Sequence, residues 1–200
     1  MKEMLEKARN CTGEISNLST DKKNKALKYM AQTLRDNKDL ILKNNETDLI
    51  NAKDKISEVM LDRLRLNESR IEAMAKGIEE VIELNDPVNI VLNEYQKDNG
   101  LLIKKVTVPF GVIAIIYESR PNVTSDVAAL CLKSGNVSIL RSGKEAFNTS
   151  KIIVELLKED NNSLISVYDE ENTTHSGTDE TICYAKQKGV KILNINPKEI

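Results

Sequence analysis

The sequence predicts an α/β fold: a helical N-terminal region, a β-hairpin arm, and a parallel sheet flanked by helices. Three observations carry this prediction. Apolar residues recur at helical spacing through about residue 84, two β-prone runs flank Asn99-Gly100, and from residue 111 short apolar runs alternate with helical stretches.

The elements follow in order. In "STDKKNKALKYMAQTLRDN", Ala26, Leu27, Met30, Ala31 and Leu34 keep the helical period, with Ser19 or Thr20 as the N-cap. In "NESRIEAMAKGIEEVIEL", Ile71, Met74, Ala75, Ile78, Val81 and Ile82 draw a second stripe, capped by Asn67 or Ser69. "DLILKNNETDLINAKDK" and "SEVMLDRLRL" fit two helices between them. Asp86-Pro87 closes the helical region, because proline disfavours helix in the residue before it. The hairpin comes next, and an arm of this kind suits subunit contact. "GVIAIIY" then reads as a strand buried on both faces. "VTSDVAALCLKSGN" reads as a helix starting at Thr124 or Ser125 and stopped by Gly135. "VSIL" is a second buried strand, and "AFNTSKIIVELLKE" a second helix with Ile152, Ile153, Leu156 and Leu157 inward. Strand, helix, strand, helix predicts parallel pairing.

The organisation is therefore 1–87 helical, 88–108 a hairpin arm, 109–160 a Rossmann-like core, and 161–200 a βαβ tail of different texture. In that tail strand 164–168, helix 178–188 and strand 190–195 are expected.

Composition excludes several classes of function. A net charge of −2 offers nothing to nucleic acid or to an anionic membrane, and a chain with no Trp lacks base-stacking platforms. Cys11, Cys131 and Cys183 are an odd, scattered set that fits a reducing cytoplasm rather than a disulfide framework. With the single His175 they offer a metal no ligand spacing. The charged N-terminus is neither signal peptide nor membrane span. Asn-x-Ser/Thr triplets at Asn17, Asn45, Asn122 and Asn136 are chance matches in an Asn-rich chain.

Ligands of parallel sheets sit at the carboxyl ends of strands, and two polar clusters lie there. "YESRPN" places Glu118, Arg120 and Asn122 after the first strand. Asn122 is either a turn or cap residue or a donor to an oxyanion forming on a substrate carbonyl. "RSGKE" places Arg141, Ser142, Gly143, Lys144 and Glu145 after the second strand. This cluster is either a solvated turn or a nucleotide contact, with Arg141 and Lys144 suited to a 2′-phosphate and Glu145 to a ribose hydroxyl. No GxGxxG is present.

The run "PFGVIAIIYESRPNVTSDVAALCLKSGNVSILRSGKEA" resembles the signature region of γ-glutamyl phosphate reductases (glutamate-5-semialdehyde dehydrogenases), a branch of the aldehyde dehydrogenase superfamily. "ILKNNETDLINAKDK", "MLDRLRLNESRIEAMAKGIEEVIELNDPV" and "GLLIKKVTVPFGV" extend the resemblance over about residues 1–158. The family has Gly-Gly after the arginine, and Ser142 replaces the first of these here.

The resemblance implies a truncated aldehyde dehydrogenase-like cofactor domain. It implies NADP(H) as cofactor and L-glutamyl 5-phosphate as substrate, reduced to the semialdehyde in proline biosynthesis. It also implies an oxyanion role for Asn122, adenosine contacts for residues 141–145, and substrate binding or loop orientation for Glu118 and Arg120. Association with glutamate 5-kinase is a further implication, while the hairpin arm itself makes a homodimer through 88–108 an expectation. The family's nucleophilic cysteine belongs to a later domain, so this chain is expected to be a fragment without turnover of its own. The alternative is a non-catalytic nucleotide-binding or assembly module. The segment "SGTDETICYAKQKGVKILNINP" is similar to the close of Rossmann-like nucleotide-sensing domains, where Gly177 and Thr178 meet phosphate, or it is an ordinary turn capped by Thr178.

Overall fold

Capping side chains set the starts of three of the N-terminal helices. The computed structural model of the chain describes residues 2–159 and 166–168. Helix α1 spans Lys2–Ser16, α2 Thr20–Asp36, α3 Lys38–Ala52, α4 Glu58–Leu64 and α5 Glu68–Glu83. Ser19 caps α2, and Asn67 caps α5 by accepting from the Arg70 N–H at 2.8 Å. The two predicted stripes face each other: Leu27, Met30 and Leu34 of α2 pack against Ile71, Met74 and Ile78 of α5. The same core continues into Ala129, Leu132, Leu140, Ile153 and Leu157, so the helical region and the sheet share one interior.

Three polar devices hold that interior in register. The Lys23 ammonium is fully buried and donates to both Asp86 carboxylate oxygens at 3.0 Å. Thr20 Oγ1 and the Val88 N–H also donate to Asp86, at 2.9 and 3.0 Å. Lys133 Nζ donates to Asn24 Oδ1 and to the Ile82 carbonyl, both at 2.8 Å. The third device lies on α3, where Asn45 and Asp48 are 1% and 2% exposed. Asn45 donates to the Leu64 carbonyl and accepts from the Leu66 N–H, each at 2.8 Å.

The hairpin pairs β1, Val91–Gln96, antiparallel with β2, Leu102–Val106, and Gly100 takes φ +83 at its tip. Every residue of β1 is exposed, and Leu92, Tyr95 and Leu102 are at least half exposed.

A second sheet is parallel, in the order β3 (Val112–Ile116), β4 (Val137–Arg141), β5 (Ser166–Tyr168). Strand β5 falls within the expected 164–168, whereas the helix and strand expected over 178–195 lie outside the described residues. Strand β4 is buried as predicted, but β3 is not: its residues are half-buried or exposed, with Ile116 at 38%. The reason is position. Strand β3 is the edge of this sheet, and its apolar run meets neighbours on fewer sides than a central strand does.

Between β3 and β4, helix α6 spans Asn122–Lys133. It begins earlier than the predicted Thr124 or Ser125, because Pro121 already holds helical angles and its carbonyl accepts from the Thr124 N–H at 3.1 Å. The freed hydroxyls are used inside the first turn, Ser125 Oγ donating to the Asn122 carbonyl at 2.9 Å. Gly135, at φ +71, ends α6: the Asn136 N–H reaches the Cys131 carbonyl at 2.8 Å and the Gly135 N–H the Leu132 carbonyl at 3.1 Å. A Cβ at Gly135 would lie 2.9 Å from Pro109 Cγ, so this stop accepts only glycine. A single turn over Lys144–Ala146 then leads from β4 into α7, Phe147–Glu159.

Burial alone would raise the Asp86 pKa, but the bonds from Val88, Lys23 and Thr20 outweigh it and hold the carboxyl below its ordinary value. A lowered folded-state pKa contributes stability above the unfolded-state value and loses it as pH falls through the folded one. Asp86→Ala is therefore expected to cost about 3–5 kcal/mol at pH 7 by leaving the Lys23 ammonium buried without a counter-charge, read by urea unfolding. The deficit should shrink below pH 3. A cost under about 1 kcal/mol at pH 7 would refute this account of the pair.

Candidate functional site

The two polar clusters meet at the carboxyl end of the sheet. Ile116 pairs with Arg141, and the Tyr117 N–H continues the ladder to the Arg141 carbonyl at 3.0 Å. The loop after β3 is fixed at both ends. Tyr117 Oη and Thr124 Oγ1 share a hydrogen bond of 2.7 Å, and the Arg120 N–H closes on the Glu118 carbonyl at 2.9 Å. Ser119 is buried between them, while Glu118 and Arg120 are exposed.

Asn122 is the first residue of α6 and is half-buried. Its Nδ2 donates to Asp126 Oδ2, one turn further on, at 3.1 Å. An acceptor there fixes which end of the amide is which, and a carboxamide nitrogen has two hydrogens. One is committed to Asp126, and the other is in no hydrogen bond among the described residues. Burial pushes the Asp126 carboxyl above its ordinary pKa, against the bond it receives from Asn122.

Arg141 ends β4, Ser142 and Gly143 form the turn, and Lys144 and Glu145 lie on the following short turn. A Cβ at Gly143 would lie 2.7 Å from Glu145 Oε2 and 3.5 Å from the Glu118 carbonyl carbon. A side chain there would meet the Glu118 backbone at ordinary contact distance and displace only the flexible Glu145 carboxylate, so the two loops lie side by side at this point. Glu118 joins the clusters through its backbone.

A cleft of about 350 Å³ opens on the first loop. Its walls carry Arg120, Asn122 and Asp126 together with Arg63, Arg65 and Arg70 from the α4–α5 corner, over a floor that includes Leu66 and Met74. Residues 141–145 do not line it. The predicted residues therefore separate into a cleft group, Arg120 and Asn122, and a neighbouring loop group, Arg141 to Glu145, with Glu118 at the contact between them.

Asp126 and the three α4–α5 arginines were not foreseen. For Asp126 the signal is the Asn-x-x-x-Asp spacing of "NVTSD". The arginines are written in "DRLRLNESR", where helical periodicity alone marks a solvent face.

Neither described cysteine reaches this cleft. Cys131 is nine residues along α6 from Asn122, about 13 Å at helical rise, and burial pushes its thiol up to about 11. Cys11 packs with Val112 and Val137, at the opposite ends of β3 and β4 from the loops. Cys183, His175, Gly177 and Thr178 lie outside the described residues. Among the described residues no cluster of His, Cys, Asp and Glu could hold a metal ion, and no helix is long and apolar enough to cross a membrane.

A gamma-glutamyl phosphate reductase of Streptococcus sanguinis is 54% identical to this chain over 156 residues, 78% of the chain and 37% of that protein. Over its N-terminal part, the chain belongs to the gamma-glutamyl phosphate reductase family. The crystal structure of the Thermotoga maritima gamma-glutamyl phosphate reductase superposes with a TM-score of 0.84 at 40% identity, covering 90% of this chain and 45% of that one. A probable aldehyde dehydrogenase from Listeria monocytogenes, 14% identical with a TM-score of 0.64 and covered over 38% of its length, shares the fold. No family model matches the sequence. The chain thus spans less than half the length of these two reductases, and its aldehyde dehydrogenase-like fold is that of their corresponding part.

An acid whose folded pKa is raised destabilises the fold once pH climbs past its unfolded value. Asp126→Asn is therefore expected to stabilise the chain at pH 7 and to give little at pH 3, read as urea midpoints at both. An equal gain at the two pH values, or a loss at pH 7, would contradict the placement of Asp126.

Proposed function

We propose that this chain provides the nucleotide-binding edge and the oxyanion donor for NADPH-dependent reduction of L-glutamyl 5-phosphate to glutamate 5-semialdehyde, an oxidoreductase step of proline biosynthesis in the cytoplasm. The observation that carries the reading is the Asn122 carboxamide, fixed by Asp126 at the start of α6 on the wall of a cationic cleft. Family membership supports it.

The chemistry follows from the residues. A thiolate attacking an acyl phosphate generates a tetrahedral oxyanion, and phosphate leaves. The free N–H of Asn122 meets that oxygen, and one such donor is worth about 3–4 kcal/mol in the transition state. Holding the amide on Asp126 removes the cost of turning it during reaction. The thiolate must come from outside residues 2–159, because Cys131 is buried a helix length from Asn122 and Cys11 packs with Val112 and Val137 at the opposite end of the sheet. On their own these residues act as a non-catalytic binding module.

The loop after β4 fits the adenosine end of a dinucleotide. It offers cations at Arg141 and Lys144, a carboxylate at Glu145, a hydroxyl at Ser142 and a close-packed backbone at Gly143. When bound, NADPH supplies the hydride; the chain's own residues bind and orient it. Glu118, through its backbone contact with Gly143, couples this loop to the one bearing Asn122. The exposed apolar residues of the hairpin, Leu92, Tyr95 and Leu102, support a homodimer through 88–108. Association with glutamate 5-kinase belongs to the same proposal.

Thermal denaturation of the chain with NADPH and with NADH tests this reading. At a hundredfold excess over Kd the nucleotide should add about 2.7 kcal/mol, roughly 5–10 °C in midpoint. Arg141→Ala should weaken NADPH more than NADH, and Asn122→Ala should leave NADPH affinity within about twofold. No stabilisation by either nucleotide, or equal weakening of both in Arg141→Ala, would overturn it.

A further inference from the structure

The α4–α5 corner brings positive charge into the cleft that nothing nearby neutralises. Arg70 is engaged: its guanidinium donates to the Asp62 and Arg65 carbonyls and to the Asp62 carboxylate at 3.1 and 3.3 Å. Asp126 is occupied by Asn122. Among the described residues, the guanidinium groups of Arg63, Arg65 and Arg120 have no hydrogen bond or ion pair. Four arginines against Asp62 and Asp126 give the cleft a formal charge of +2 in a chain whose net charge is −2.

The arrangement is built rather than incidental. Arg120 comes from the loop after β3, some fifty residues from the corner, yet lines the same concavity. Leu64 and Leu66, on either side of Arg65, are each bonded to the buried Asn45. Arg70 staples the backbone of Asp62 and Arg65 from the other side. The guanidinium groups thus spring from a fixed backbone, on exposed side chains set around a floor of Leu66, Ala73 and Met74.

We propose that this cleft is an oxyanion subsite that takes the carboxylate and phosphate groups of a small acyl-phosphate substrate, through Arg63, Arg65 and Arg120, with its acyl carbon turned to Asn122. The assignment rests on the reductase reading and specifies which residues of this chain hold the substrate. Guanidinium forks bind carboxylate and phosphate in the same two-point geometry. A volume of about 350 Å³ admits a five-carbon acyl phosphate and is too small for a dinucleotide, which leaves the 141–145 loop as the separate nucleotide contact.

Calorimetric titration of the full chain at low ionic strength, with inorganic phosphate in one arm and glutarate in the other, tests the subsite and separates the two anionic groups. Binding is expected in at least one arm. Arg65→Gln and Arg120→Gln should each weaken it tenfold or more, and Arg65→Lys should recover part of the loss. Lys28→Gln, on the exposed side of α2, should not change it. The same variants are assayed for NADPH stabilisation, which Arg65→Gln should leave intact. Absence of binding in both arms, or binding unchanged in Arg65→Gln and Arg120→Gln, overturns the subsite while NADPH binding would keep the nucleotide reading. Loss of NADPH stabilisation with Arg65-dependent anion binding retained would overturn the nucleotide reading instead.

Discussion

Asn45 and Asp48, one turn apart on α3 and both buried, hold the two halves of the site to one helix. Asn45 grips the α4–α5 corner through the Leu64 carbonyl and the Leu66 N–H, and its Nδ2 also reaches Thr149 Oγ1 at 3.2 Å. Asp48 accepts from the Thr149 N–H at 2.7 Å, from Thr149 Oγ1 at 2.6 Å, and from the Asn148 N–H and Nδ2 at 3.2 and 2.8 Å. Those N–H groups belong to the first turn of α7, which no partner within α7 can satisfy. The cap therefore comes from another helix. In a buried setting such bonds contribute modestly when complete and cost heavily when one partner is removed. The network consequently acts as a unit.

Its placement matters because α7 follows directly on the Arg141–Glu145 loop, while the α4–α5 corner carries Arg63 and Arg65. One rigid strut thus sets the Arg141–Glu145 loop and the arginine corner in the same frame. The parallel pairing of β3 and β4 adds the third fixed point, bringing Asn122 and Gly143 to one end of the sheet. The resulting chemistry is electrostatic. A fixed amide donor sits on a cationic wall, and the groups that would neutralise that wall are already engaged.

Much of the scaffold was legible in the sequence because it depends on local rules. Ser19 and Asn67 cap their helices, the α2 and α5 stripes meet, Asn99-Gly100 turns the hairpin, and Gly135 stops α6. The errors have physical causes too. An apolar run cannot show whether its strand is central or at an edge, so β3 was read as buried when it is the sheet's margin. Pro121 began α6 before the hydroxyl residues that usually mark a start.

The hub itself was invisible. Asn45 stood out only as a chance triplet, and nothing in "KNNETDL" announces a helix buried on its polar side. The cleft arginines were missed for a related reason: their convergence with Arg120 is a property of the fold, not of any spacing. The polar clusters at the strand ends were found, yet their chemical roles came from family resemblance rather than from pattern.

Amide hydrogen exchange in Asn45→Ala tests the strut most directly. The Leu66 N–H loses its acceptor in this variant, whereas the Thr149 N–H keeps Asp48. If α3 couples the two loops, both amides should exchange about tenfold faster or more, while Ile78 in the α2–α5 core stays protected. Acceleration at Leu66 with Thr149 unchanged would show that the corner and the Arg141–Glu145 loop are held independently, contrary to this account.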